Sequence, residues 1–168
     1  MSKRLVINLD KWRGTPGTTT PACSASCSYY YHPNNDGVLN VVEIASFEVF
    51  CRRCELKSCV CACRYDALKT TDEGMPKRSN MLCTGCKSCS QACPFGIIIP
   101  TALRYIASIC DECIGRRDDV PECVRTCSCD ALQYEEVPEG AADTHLIGDF
   151  IAARSRAWQK SEPLEKKK

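Results

Sequence analysis

Residues 83–94 read CTGCKSCSQACP, placing thiols at Cys83, Cys86, Cys89 and Cys93 with two, two and three residues between them and Pro94 directly after the last. A tight turn with Gly85 inside it lets the first three Cβ atoms converge on one point, so these thiolates can share one compact inorganic group. Pro94 has no N–H to satisfy and holds φ near −65°, which helps to fix the direction in which the chain leaves the site. No fold that scatters these thiols is compatible with such spacing.

This is the run of bacterial ferredoxins, in which three thiolates hold one four-iron cluster and the cysteine before the proline serves a neighbouring cluster. Zinc would ask for four ligands around one ion, usually as two separated C-x2-C knuckles, which the run matches poorly. Two further groups flank it. Cys51, Cys54, Cys59 and Cys63 form a C-x2-C-x4-C-x3-C run, and Cys110, Cys113, Cys123 and Cys127 a C-x2-C-x9-C-x3-C run. The last cysteine of each group is followed by three residues and an apolar pair: Ala67 and Leu68, Ile97 and Ile98, Ala131 and Leu132. Such an internal repeat points to several cluster modules in one chain.

With 16 cysteines in 168 residues, a secreted chain would be read as a disulfide scaffold. The opening MSKRLVINLD has no apolar signal region and no twin arginine, so the expectation is a cytoplasmic protein with reduced thiols. No apolar run approaches a membrane span, and a net charge of +1 gives no reason to expect nucleic acid. Few aromatics and much turn-like sequence leave a thin core, so metal cross-links are expected to substitute for it.

The expected fold class is α+β: tandem ferredoxin-like cluster modules with short strands and helices, plus a C-terminal helix. Strands are expected over residues 4–9 and 132–137, and a loop over residues 11–27. A hairpin is expected from residues 67–71 and 77–82 around Gly74. Residues 38–50 are β-branched and aromatic, hence strand-like, although 43–50 also fit a helix. After the central motif, GIIIP and ALRYIASI read as a turn and another strand. Residues 143–159 read as a helix, capped by Asp143 and Thr144, with Leu146, Ile147, Phe150, Ile151 and Trp158 near helical spacing and Gly148 weakening it. That helix would pack on the chain's own body or dock a partner, and SEPLEKKK would be a solvated tail. Residues 1–140 would then form the cluster domain and 141–168 the helix and tail.

Over residues 5–137 the groups and their order resemble the polyferredoxin electron-transfer subunits of molybdenum and tungsten oxidoreductases. In that family the second and third cysteine groups exchange ligands, and the first exchanges with the fourth. The resemblance implies cluster A on Cys51, Cys54, Cys59 and Cys93, and cluster B on Cys63, Cys83, Cys86 and Cys89. Cluster C would take Cys110, Cys113 and Cys123 with one thiol of the N-terminal loop, Cys27 first because the aromatic SYYYHP follows it, and Cys23 second.

The chain departs from the family in that loop, where Trp12, Thr15 and Thr18, or Gly17, Thr20 and Cys23, stand at the positions of the first triplet. Hydroxyls and an indole do not replace thiolates on iron, so three 4Fe–4S clusters are expected, with Cys23, Cys61, Cys127 and Cys129 spare. These four would be buried thiols; the alternative is a degenerate site at Cys23 and Cys127. Arg64 and Ser128 stand where the family often has proline. Arg52, Arg53, Lys57 and Arg64 gather near cluster A, where cations would favour the reduced state and raise its potential, or would form a solvated docking face.

No general acid, nucleophile or phosphate loop is evident, and His32 and His145 are isolated. The chain therefore reads as a wire for single electrons, not catalytic alone, in a hetero-oligomer with a tungsten- or molybdenum-pterin subunit and an external donor or acceptor protein. Its length and degraded first group are most similar to the iron–sulfur subunit of class II, ATP-independent benzoyl-coenzyme A reductase. The alternatives are the corresponding subunit of a tungsten aldehyde oxidoreductase, hydrogenase, formate dehydrogenase or carbon monoxide dehydrogenase, and, from another class, a zinc-stabilised binding module.

Overall fold

The computed structural model describes residues 3–14, 23–27, 29, 32–113, 120–141 and 143–155. Thr15, Gly17, Thr18, Thr20 and Trp158, named above, lie outside the described residues, as does the C-terminal tail.

The core is built on β1 (Lys3–Asn8), whose Leu5, Val6 and Ile7 are each at most 1% exposed. A strand buried on both faces is a continuous apolar run, as RLVINL is. Asn8 ends it by accepting the Lys11 backbone N–H at 3.0 Å, which starts the short α1 (Leu9–Arg13) and sends Leu9 and Trp12 into the core.

The strand-like reading of residues 38–50 is corrected: α2 (Gly37–Phe50) is one helix of 14 residues. Val38, Val41, Val42 and Ala45 recur at helical spacing and are all buried, so one apolar face outweighs the β propensity of its valines. Fourteen residues are also too many for an ordinary strand. The chain continues through α3 (Ser58–Cys61), β2 (Leu68–Thr70), β3 (Pro76–Arg78), α4 (Ser88–Ala92) and a 3-10 turn (Pro100–Ala102) to α5 (Glu122–Arg125) and β4 (Leu132–Glu136). The β2–β3 hairpin turns at Gly74, with φ +83°. The strand expected in ALRYIASI is absent; that stretch is irregular beyond the 3-10 turn, and Tyr105, Ile106 and Ile109 are exposed.

The helix expected over residues 143–159 is also corrected: its described part, 143–155, is a hairpin of β5 (Thr144–Ile147) and β6 (Ile151–Arg154). Gly148, at φ +59°, supplies the left-handed turn that would weaken a helix. The sheet order is β4-β1-β6-β5, with β1 antiparallel to β4 and parallel to β6, Leu5 facing Tyr134 on one side and Ile151 on the other. Ala152 and Ala153 are wholly buried on opposite faces: the small Ala153 lies in the cluster with α2 and lets the helix come close, and Ala152 packs with Val6 and Val137. Pairing with the buried β1 satisfies the backbone groups of β6 on that side and places Ala152 and Ala153 in the interior. The chain is mixed α/β, with short helices and two small sheets among the described residues.

One ion pair fastens α2 to the β2–β3 hairpin. Glu43 accepts from Arg78 through both carboxylate oxygens at 2.6 Å, and the two side chains are 5% and 6% exposed. Burial pulls the guanidinium pKa down, but Glu43 and the neighbouring Cys83 outweigh it, and the net direction is upward. Removing one partner leaves a buried charge unpaired, a loss of about 3–5 kcal/mol. Arg78→Met is therefore expected to lower the thermal midpoint of the anaerobically purified protein by on the order of 10 °C; a shift within the error of the scan would show that the pair is not buried in solution.

Candidate metal centres

Three cavities are each lined by four thiols, and two of them lie at the ends of α2. The largest, about 290 Å³, lies at the C-terminal end of the helix and is lined by Cys51, Cys54, Cys59 and Cys93. Cys51 caps α2, α3 presents Cys59, and Cys93 caps α4. The Arg53 backbone N–H points at the Cys51 sulfur at 3.5 Å. Burial, then the Cys93 and Cys51 charges, push the Cys59 thiol up. Arg52, Arg53 and Lys57 line the same cavity, whereas Arg64 stands outside its lining.

The second cavity, a cleft of about 20 Å³, is lined by Cys63, Cys83, Cys86 and Cys89. Cys89 is pushed up to about 11 by burial and by the charges of Cys83, Cys63 and Cys86. Exposed Cys86 is held down by its hydrogen bond to the Ser88 hydroxyl at 3.5 Å. Gly85 is required here: at φ +68° a Cβ would stand 3.0 Å from the Tyr105 nitrogen and 3.2 Å from the Leu103 oxygen. Lys57 before α3 and Lys87 before α4 both have positive φ, so the two Lys-Ser-Cys segments enter their helices in the same way.

The third, about 10 Å³, is lined by Cys27, Cys110, Cys113 and Cys123 at the N-terminal end of α2. Burial and the remaining thiols of this set push Cys123 up to about 12, and Cys110 reaches about 11 with burial again the largest cause. The Tyr29 hydroxyl donates to Asp111 Oδ1 at 3.0 Å, and the same oxygen accepts from the Cys113 N–H at 3.0 Å, which orders the loop between the two thiols. Gly37 lets the helix approach this loop, because a Cβ there would lie 2.9 Å from the Ile109 oxygen.

The sequence repeat has a backbone counterpart. Asp66, Gly96 and Asp130, each three residues after the last cysteine of its group, all have φ between +51° and +61°. The apolar pairs that follow are at most 4% exposed. A left-handed residue reverses the chain and drops the pair into the core.

Of the expected spare thiols, Cys61 is exposed and its sulfur points to the Leu56 carbonyl. The other three meet: Cys23 is bonded to Cys129, and the Cys127 sulfur lies 3.2 Å from that of Cys23. Cys23, the second choice for cluster C, thus stands in this trio, whereas Cys27 lies in the cavity with Cys110. The sequence reading pairs Cys23 with Cys127 and gives Cys129 only as a spare thiol, although the Cys-x-Cys spacing of Cys127 and Cys129 is a signal, and it assigns no role to Tyr29, Asp111, Glu43 or Arg78. Neither histidine lines a thiol cavity. No described helix is long and apolar enough to cross a membrane.

The profile of the 4Fe–4S dicluster domain matches residues 42–137, more than half of the chain. The chain belongs to this family. It is similar to the putative electron transport protein YsaA of Escherichia coli, with 32% identity over 68% of this chain and 81% of YsaA. It also resembles the putative oxidoreductase AegA of Escherichia coli, 33% identical over 80% of this chain but only 20% of AegA. A third relative is the thiosulfate reductase electron transfer subunit PhsB of Salmonella typhi, 31% identical over 54% of this chain and 49% of PhsB. The family and the likenesses to YsaA and PhsB agree with an iron–sulfur electron-transfer subunit that is not a catalyst by itself, and the chain spans well under two thirds of AegA and PhsB.

The thiol cavities fit such groups chemically, since converging thiolates that raise one another's pKa are relieved only by cations between them. The two glycines test the framework. Gly85→Ala is expected to cost clearly more stability than Gly96→Ala, where φ is also positive but nothing stands within 4 Å and the loss is about 1–2 kcal/mol. Heating curves followed by visible absorbance check this, and equal losses would mean that the contact with Tyr105 is not made.

Proposed function

We propose that this protein relays single electrons through three 4Fe–4S clusters to or from a pterin-bound tungsten or molybdenum catalytic subunit. The reading is carried by one observation, three sets of four thiols, each around its own cavity. Cys51, Cys54, Cys59 and Cys93 would hold cluster A, Cys63, Cys83, Cys86 and Cys89 cluster B, and Cys27, Cys110, Cys113 and Cys123 cluster C. Cys63 and Cys93 cross between adjacent sites, so A and B are tied by the same short helices that touch each other, α3 and α4.

A bound cluster supplies one-electron chemistry at low potential. The chain's own part is to hold the thiolates, exclude water and set the local charge. Arg52, Arg53 and Lys57 around A favour an added electron, whereas Asp111 and Glu122 line C with no cation among its described lining residues. The charge pattern supports an electron resting more stably at A than at C.

For the catalytic partner we propose the tungsten subunit of a class II benzoyl-coenzyme A reductase, in a cytoplasmic hetero-oligomer that also meets an external electron donor or acceptor protein. The degraded first cysteine group is the feature that supports it. The likeness to PhsB favours a second partner, a reductase of an inorganic sulfur compound. Copurification of the large subunit, followed by its metal content and its activity on benzoyl-coenzyme A or thiosulfate, separates the two.

Anaerobically purified protein is expected to hold about twelve irons and as many acid-labile sulfides per chain. Cys89→Ala should lose about a third of them while Cys61→Ala loses none, and full removal of iron should abolish cooperative unfolding. Zinc in place of iron would end the electron-transfer reading. In a redox titration followed by electron paramagnetic resonance, Arg52→Gln should lower the potential of one cluster by up to about 40 mV, the one-electron equivalent of roughly 1 kcal/mol; unchanged potentials would remove the charge argument for site A.

A further inference from the structure

Cys23, Cys127 and Cys129 belong to none of the three quartets, yet they are brought together deliberately. Residues 24–26 and 126–128 form a polar clamp: the Ser24 N–H donates to the Ser128 hydroxyl at 3.0 Å, the Ser128 N–H to the Ser24 carbonyl at 3.0 Å, and the Ser26 N–H to Thr126 Oγ1 at 3.0 Å. The Cys129 sulfur faces the Lys11 carbonyl, and Lys11 Nζ donates to the Asp130 carbonyl at 3.4 Å. Cys23 is 3% exposed, in the same apolar cluster as Leu9, Trp12 and Ala131.

The scale of the trio differs from that of the quartets. All three sulfurs lie within 4.8 Å of one another, and no other group of three thiol, imidazole or carboxylate donors among the described residues is so tight. The quartets stand around cavities; the trio closes on a point. Tetrahedral zinc, with sulfur about 2.3 Å from the metal, separates its sulfurs by roughly 3.8 Å. Three sulfurs gathered this closely, two of them bonded to each other, need move apart by less to surround a single ion than to surround a cuboidal cluster.

We propose that the reduced trio is a fourth, mononuclear site for one thiophilic divalent cation of the zinc class, and that the Cys23–Cys129 bond is its oxidised, closed state. Opening that bond takes two electrons and two protons. A trialkylphosphine supplies the electrons and becomes a phosphine oxide with oxygen from water, and two thiols form. The cation then replaces the thiol protons on three sulfurs, and its fourth position takes water. The site is independent of the clusters, because it uses none of their ligands.

The test uses anaerobically purified, iron-loaded protein treated with the phosphine and dialysed against zinc, with zinc and iron counted in the same sample. The expected result is one additional zinc per chain at unchanged iron, and protection of Cys127 and Cys129 from alkylation by iodoacetamide. Cys23→Ser, Cys127→Ser and Cys129→Ser should each weaken zinc binding at least tenfold, with Cys61→Ser unchanged, and the iron content of each variant reports that it has folded. The protection measurement in the unsubstituted protein stands if a variant does not fold. No zinc after the bond has opened overturns the proposal, as does zinc gained only as iron is lost. Four extra irons that vanish in Cys127→Ser overturn it in favour of another cluster. Protein without iron that still takes one zinc on this trio leaves the site standing and ends the three-cluster reading instead.

Discussion

The buried pair between Glu43 and Arg78 is the contact on which the placement of the thiol sites depends. Glu43 lies midway along α2, which runs into Cys51 at one end and abuts the Cys110 loop at the other, and Arg78 stands beside Cys83. The helix thus borders two of the cavities directly and reaches the third through Arg78, which lines it. A rigid spine is what a chain with a thin core can provide, because it fixes the sites without requiring each to have a core of its own. A buried ion pair fastens it less for net energy than for direction: an apolar contact could slide, whereas a two-point Arg–carboxylate contact has one geometry.

The second constraint is the crowding of acids. Each quartet holds at least one thiol pushed up mainly by burial and then by neighbouring thiols, Cys59, Cys89 and Cys123, and a metal group must displace the protons on such sulfurs as it binds. Folding and metal loading are one process in such a chain. The backbone is prepared for it locally, by Gly85 and Gly37 at close approaches and by left-handed residues before α3 and α4.

What was legible in the sequence follows the same division. Cysteine spacing and the apolar pair after each group are local, and they pointed to positions that the chain does bring together. The left-handed turns at Asp66, Gly96 and Asp130 lie inside that repeat. Residues 38–50 were misread because valine's preference for strands was weighed above the spacing of Val38, Val41, Val42 and Ala45. Residues 143–155 form a hairpin although Leu146, Ile147, Phe150 and Ile151 fit helical spacing, because β6 pairs with β1, more than a hundred residues away in the chain, and β5 then pairs with β6. Arg78 carries no local sign of its role, since its partner Glu43 is 35 residues distant.

The N-terminal segment sends its two cysteines to different places. Cys27 and Cys23 are four residues apart and face different neighbours, Cys27 the Cys110 loop and Cys23 the pair Cys127 and Cys129. The Ser24–Ser128 clamp between them holds both arrangements at once, so neither thiol can leave its place without disturbing the other. The clamp's hydrogen bonds lie beside the three sulfurs Cys23, Cys127 and Cys129. Buried sulfurs in such proximity repel as thiolates, and their alternatives are to share protons, to bond or to share a cation. The clamp therefore holds three sulfurs within bonding reach, and two of them, Cys23 and Cys129, are bonded.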